Sequence, residues 1–262
     1  MLETIKNNKL ISEGYEIIKE IIPSSELRVV REACSSLTKD RVTAYPSDIL
    51  GDKIVSKILT NKSIIEVVRS VLGDNILLFP NFTVRRDVYE PWHIDGAFTE
   101  NLGGVQEEPL FVQCGVYLQD NDEFKGGQVD IIPKSHERVE INNRLFTPAS
   151  LLDIAVSATT VNAGAGGAVL WDGRLVHQST VQREYTADSK LGIFMTFAAV
   201  NSNWKGFLKH LRKRGEVQSN NPNLLVGRYQ DMENIGRENM IPNHIMKDWN
   251  SLGVKLVTFS DM

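Results

Sequence analysis

"EPWHID", residues 90–95, holds one of the chain's five histidines just after a tryptophan. It places His93 two residues before Asp95. In extended backbone, residues i and i+2 point the same way, so these side chains can bite one ion. A polar turn is the bland alternative, because an H-x-D triplet is a weak signal by itself. The next evidence lies at residues 162–180, "NAGAGGAVLWDGRLVHQST", where His177 ends a strand-like segment. Two histidines and one carboxylate are the ligand set of a mononuclear non-haem iron(II) site, with one face left open for a keto acid and dioxygen. Ligands this far apart need a fold that brings two strand ends together, as the mouth of a β-barrel does. A hydrogen-bonded core or rim histidine is the competing reading of His177.

The texture on either side of the triplet supports a barrel. Before it the chain is helical in tone. "SSELRVVREACSSL" puts Leu27, Val30 and Cys34 on one helical face, with Ser24 or Ser25 as cap. A second helix is expected over "SDILGDKIVSKILT", and a third over "KSIIEVVRSVLG", stopped by Gly73. "YEIIKEII" reads either as a short strand or as a helix end. After residue 75 the pattern changes. "NILLFPNFTVRRDVY", "LFVQCGVYLQD", "GQVDIIP", "GAVLWDG" and "LGIFMTFAAV" are β-branched, aromatic and punctuated by Gly, Pro, Asn or Asp. "NWKGFLKHLRKRGEV" returns to helix, with Trp204, Phe207, Leu208 and Leu211 on one side. Helices followed by a run of strands predict an α+β, mainly β chain: a sandwich or open barrel braced by helices. One domain over residues 1–262 is expected, with the core at about 76–200 and helical additions at 1–75 and 201–262.

Bulk properties narrow the function. Hydrophobic residues make up 42% and charged residues 24%, so the chain can bury a core without disulfides. A net charge of −4 gives no strong pull toward nucleic acid or an anionic membrane. Cys34 and Cys114 form neither a disulfide framework nor a zinc motif, and read as small buried hydrophobes in a reducing compartment. No signal peptide or membrane span is visible, so a soluble, cytoplasmic protein is expected.

Five blocks, in order, resemble the phytanoyl-CoA dioxygenase-like branch of the Fe(II)/2-oxoglutarate-dependent oxygenases. They are "GYEIIKEIIPSSELRVVREA", "PWHIDG", "VQCGVYLQDNDEFKGGQVDIIPKSHE", "NAGAGGAVLWDGRLVHQS" and "KLGIFMTFAAV", spanning about residues 14 to 200. The resemblance implies a double-stranded β-helix (jelly-roll) fold and iron binding by His93, Asp95 and His177. It implies Fe(II), 2-oxoglutarate and O₂ as cofactors and cosubstrates. The implied reaction decarboxylates 2-oxoglutarate to succinate and CO₂ and oxidises a C–H bond, giving an alcohol, a desaturated product or a new ring. Related halogenases have glycine or alanine where Asp95 stands, so the carboxylate argues against halogenation.

The resemblance also implies a cation for the distal carboxylate of 2-oxoglutarate. The family usually has arginine at the start of the strand after the distal histidine; this chain has Lys190 there. Lysine offers a point charge rather than a two-pronged fork. Arg183, in "QSTVQREYTADS", is the rival, and Ser179 matches a family hydroxyl that helps hold the keto acid. Arg85 and Arg86 are further candidates for the pocket, although strand-end arginines are more often on the surface. Among the aromatics, Trp92 and Phe98 gain weight by flanking the metal loop. Trp171, Phe194 and Trp204 read as core.

Other motifs are set aside. "NAGAGGAVLWDG" lacks the lysine and hydroxyl of a phosphate-binding loop. His136 in "PKSHER" reads as a structural turn residue, and His210 and His244 as surface residues. The basic run Lys205, Lys209, Arg212, Lys213 and Arg214 reads as the solvated face of a helix. Residues 99–109 suit a lid over the mouth. The expected substrate is a small molecule. Two other classes compete: a catalytically silent jelly-roll binding protein, favoured by the missing arginine, and a cupin-like metal enzyme that does not use 2-oxoglutarate.

Overall fold

A computed structural model describes residues 8–95, 111–120, 126–137, 156–182, 190–200, 204–219, 226–237 and 241–262. Phe98, Arg183 and the lid expected at 99–109 lie outside the described residues.

The N-terminal helices follow their sequence signals, with one exception. After α1 (Lys9–Ser12), the ambiguous "YEII" is strand β1 (Tyr15–Ile18). Helix α2 (Ser24–Leu37) buries Val30 and Cys34. Helix α4 (Lys62–Leu72) starts where the Asn61 side chain accepts from the Ile64 N–H, and ends at Gly73, whose φ of 81° favours glycine. The single helix expected over 47–60 is two pieces, α3 (Pro46–Gly51) and a 3₁₀ turn (Ser56–Thr60). Asp52 divides them. Its carboxylate accepts from the Ile54 and Val55 N–H groups and starts a new turn instead of continuing the old one.

The strands form two sheets. The larger contains β1, β2 (Thr43–Ala44), β3 (Ile76–Leu78), β4 (Thr83–Arg86), β5 (Phe111–Tyr117), β8 (Ala168–Asp172), β10 (Leu191–Ala199) and β11 (Val254–Leu256). Its order is β1–β8–β5–β10–β3–β11, with β4 paired to β10 and β2 to β4. The smaller sheet runs β7 (Thr159–Val161), β6 (Val129–Ile131), β9 (His177–Ser179). The pairs are antiparallel except β11 on β3. This is an α+β, mainly β architecture with a jelly-roll core.

Two-residue periodicity decides what each strand does. In β10, Leu191, Ile193, Met195, Phe197 and Ala199 join the large core with residues of α2 and α4. Phe194 points the other way, into a second cluster between the sheets, with Val129, Ile131, Tyr117 and Trp171. In β8, Ala168 and Leu170 face the helices, while Val169 and Trp171 face the smaller sheet. The mouth between the sheets is therefore lined by the inward set.

The C-terminal part adds α5 (Trp204–Ser219), α6 (Val226–Arg237) and α7 (Asn243–Ser251). On α5, Phe207, Leu208 and Leu211 are buried, while Lys205, Lys209, Arg212 and Lys213 are exposed, as expected of an amphipathic helix. Strand β11 has no counterpart in the sequence reading. It lies parallel to β3 and extends the sheet edge. Cys34 and Cys114 are free and buried, and burial pushes both thiols well above their usual range. Among the described residues, no helix is long and apolar enough to cross a membrane.

Candidate metal centre

The EPWHID segment lies along β9. The His177 N–H donates to the His93 carbonyl and the His93 N–H to the His177 carbonyl, each at 2.9 Å. The Ser179 N–H donates to the Glu90 carbonyl at 2.9 Å. This pairing brings two segments of distant sequence into register and places the imidazole centroids 4.2 Å apart. Asp95 follows two residues later, at the same mouth. One ligand atom from each of His93, Asp95 and His177 lies within 4.8 Å of the others. It is the His-Asp-His group expected from the spacing.

The donor chemistry fits a metal ion. His93 Nδ1 lies 2.6 Å from the Pro91 carbonyl, and His177 Nδ1 lies 2.9 Å from the Leu175 carbonyl. A carbonyl can only accept, so each Nδ1 carries the proton and each Nε2 keeps its lone pair. Both Nε2 atoms face Asp95: His177 Nε2 is 3.4 Å from Oδ2, and His93 Nε2 is 3.7 Å from Oδ1. Burial pushes the His177 imidazole down to about 4, against the pull of Asp95, so it is neutral at pH 7, the form that ligates. Fixing of the non-ligating nitrogen by a backbone acceptor is the usual support of a metal-binding histidine.

A pocket of about 80 Å³ opens beside these three residues. Lys190, at the entrance to β10, is buried, and its Nζ donates to Ser179 Oγ and to the Val88 carbonyl, each at 2.7 Å. It also lies 5.0 Å from the Tyr89 ring centroid. Burial, then the Arg85 charge, pushes Lys190 down to about 7, against the pull of Glu90 and Asp87. Ser179 Oγ accepts from Lys190 and from the Glu90 N–H at 3.1 Å, which leaves its own proton for another acceptor. Strand alternation separates the two arginines of β4. Arg85 lines the pocket and lies over the Phe194 ring, whereas Arg86 points to α2 and donates to Thr38 Oγ1 and the Ser35 carbonyl.

The aromatic expectation needs correction. Trp171 and Phe194, read as core, line the pocket; Trp92 instead packs near Ile132 and Val176. The Trp171 Nε1–H donates to Asp95 Oδ2 at 3.1 Å. Counting in twos along "AVLWD" would have put Trp171 on the inner face, but only the pairing of β8 shows which face is inner. His136 is a buried turn residue, as expected, with Nε2 3.0 Å from the Ile11 carbonyl. Its neighbour Ser135 accepts from the Val176 N–H at 2.8 Å and steadies the approach to His177. His244 is exposed and His210 half-buried against Phe207.

Fold and site together define a jelly-roll protein with an open His-Asp-His centre. The chain belongs to the phytanoyl-CoA dioxygenase (PhyH) family, whose model matches residues 25–183. No curated protein matches it. Among solved structures it is similar to EctD from S. alaskensis with bound Fe, at 16% identity and a TM-score of 0.62, over 77% of this chain and 78% of that one. It is similar to SnoN, a non-heme alpha ketoglutarate dependent epimerase from nogalamycin biosynthesis, at 16% identity and a TM-score of 0.59, over 76% and 82%. It is also similar to HygX from Streptomyces hygroscopicus with nickel and 2-oxoglutarate bound, at 17% identity and a TM-score of 0.55, over 73% and 85%. At these identities the likeness speaks for the fold.

Proposed function

We propose that this protein is an Fe(II)/2-oxoglutarate-dependent oxygenase that hydroxylates an unactivated C–H bond of a small molecule. The observation that carries the reading is the convergence of His93, Asp95 and His177, with Lys190 and Ser179 at the same mouth. His93 Nε2, His177 Nε2 and an Asp95 oxygen would hold the metal. Bound iron supplies the redox chemistry by which 2-oxoglutarate, O₂ and R–H become succinate, CO₂ and R–OH.

The chain's own part is binding and positioning. Lys190 has three N–H donors, and two of them hold Val88 and Ser179. Its third N–H and the Ser179 proton suit a carboxylate, which supports Lys190 and Ser179 as the anchor for the distal end of 2-oxoglutarate. Arg183 remains the rival anchor. Phe194, Tyr117 and Trp171 wall the pocket and limit water. Desaturation or ring closure follows if a second hydrogen is removed in place of hydroxyl transfer, and the relatives named above include an epimerase.

Incubating the protein with Fe(II), 2-oxoglutarate and O₂, with succinate as readout, tests this. Uncoupled succinate formation that disappears in His177→Ala supports the reading. Metal binding without any effect of 2-oxoglutarate points to the cupin-like alternative. No metal binding leaves a silent binding protein. Lys190→Ala should raise the 2-oxoglutarate requirement and Arg183→Ala should not; the reverse would move the anchor.

A further inference from the structure

We propose that Trp171 is a positioning residue that fixes the Asp95 carboxylate as a one-oxygen ligand. This rests on the reading of His93, Asp95 and His177 as the metal centre.

Asp95 has two oxygens, and they have different neighbours. Oδ2 accepts from the Trp171 indole N–H at 3.1 Å. Oδ1 lies 3.7 Å from His93 Nε2, and Oδ2 lies 3.4 Å from His177 Nε2. A carboxylate that turns freely can close on an ion with both oxygens and take up a position that a second ligand needs. A donor held on one oxygen opposes that rotation. It also draws charge from the carboxylate without competing for the ion, because indole nitrogen donates and never ligates.

Trp171 can hold still while it does this. It is buried at 5% exposure within the inter-sheet cluster, and its strand is paired on both sides, by β1 and β5. The same ring lies 5.1 Å from the His177 ring centroid, so one rigid side chain touches two of the three candidate ligands. His93 and His177 are oriented by backbone carbonyls. Among the described residues, the Trp171 indole is the hydrogen-bond donor that does the same for Asp95.

The experiment compares wild type, Trp171→Phe and Asp95→Ala with Co(II) as the probe. Phenylalanine keeps an aromatic ring in the cluster and removes only the N–H and part of the ring system. Trp171→Phe is expected to bind Co(II) about 10- to 100-fold more weakly, the usual effect of losing a group that orients a ligand. Its visible d–d bands should change in intensity as the carboxylate moves. A residue that merely fills space would lower the urea midpoint and leave the Co(II) spectrum alone, and that outcome overturns the proposal. If wild type and Asp95→Ala bind Co(II) equally, the metal-centre reading itself fails, which is a separate result. Should Trp171→Phe not fold, amide and indole ¹H–¹⁵N spectra still decide. Of the four tryptophans, one indole N–H should shift upfield in Asp95→Ala; a spectrum in which none moves overturns the proposal.

Discussion

In the proposed function Lys190 anchors the keto acid, and this choice of cation has a measurable consequence, because lysine can lose its proton where arginine cannot. Lys190 is pushed from 10.5 down to about 7 by burial and by Arg85, with Glu90 and Asp87 opposing. That fall corresponds to about 5 kcal/mol against the charged form. With the pocket empty, about half of the molecules carry the ammonium at pH 7, about a tenth at pH 8 and about a hundredth at pH 9. A dicarboxylate needs the charged form. Its affinity should therefore fall about fivefold from pH 7 to 8 and about tenfold from pH 8 to 9. At pH 8, binding should take up close to one proton. Calorimetry of 2-oxoglutarate binding to the Ni(II)-loaded protein, in buffers of different ionisation enthalpy, reads both quantities. Lys190→Arg should flatten the pH dependence and abolish the uptake. Affinity that is level from pH 7 to 9, with no proton uptake in the wild type, would rule out Lys190 as the titrating anchor. The same shift acts on stability. Between pH 7 and about 10 the unfolded lysine holds a proton that the folded one has lost, so stability should rise with pH across that window, and Lys190→Met should remove the rise.

Three further outcomes are expected. Asp95→Gly should lose the 1:1 metal site, read by Co(II) titration, with no large fall in the urea midpoint, because Asp95 is only half-buried. Gly14→Ala should cost about 2 kcal/mol or more in urea unfolding, since φ is +85° and a Cβ would lie 2.5 Å from His136 Nδ1 and from Leu175 Cδ1. Arg174→Ala should cost about 3 kcal/mol, because it leaves the Asp172 carboxylate, 1% exposed, without the guanidinium that donates at 2.7 and 2.9 Å. That turn leads into His177, so metal affinity should drop with it.

Much of the fold could be read from residue pattern alone. The β-branched runs after residue 75 became strands, and α2, α4 and α5 lie where their apolar stripes put them. The failures share a cause. The helix break at Asp52 turns on one carboxylate choosing two backbone N–H groups over continued helix. Strand β11 (Val254–Leu256) is short and owes its existence to β3 (Ile76–Leu78), a partner far away in the chain that local pattern does not reveal. Arg85 and Arg86 are adjacent and chemically identical, yet pairing with β10 sends one to the pocket and the other to α2.

Residue type and order already carried the chemical inventory: two imidazoles and a carboxylate able to ligate, a lysine at position 190, and strands with the right alternation to hold them. Those properties belong to residue type and local spacing, which survive in an unfolded chain. Convergence was decided by the tertiary structure. The mutual His93–His177 backbone bonds, the burial that depresses Lys190 and the indole aimed at Asp95 each join segments distant in the chain. A side chain's direction and its solvation depend on which strand lies beside it, and that is settled only when the sheets close.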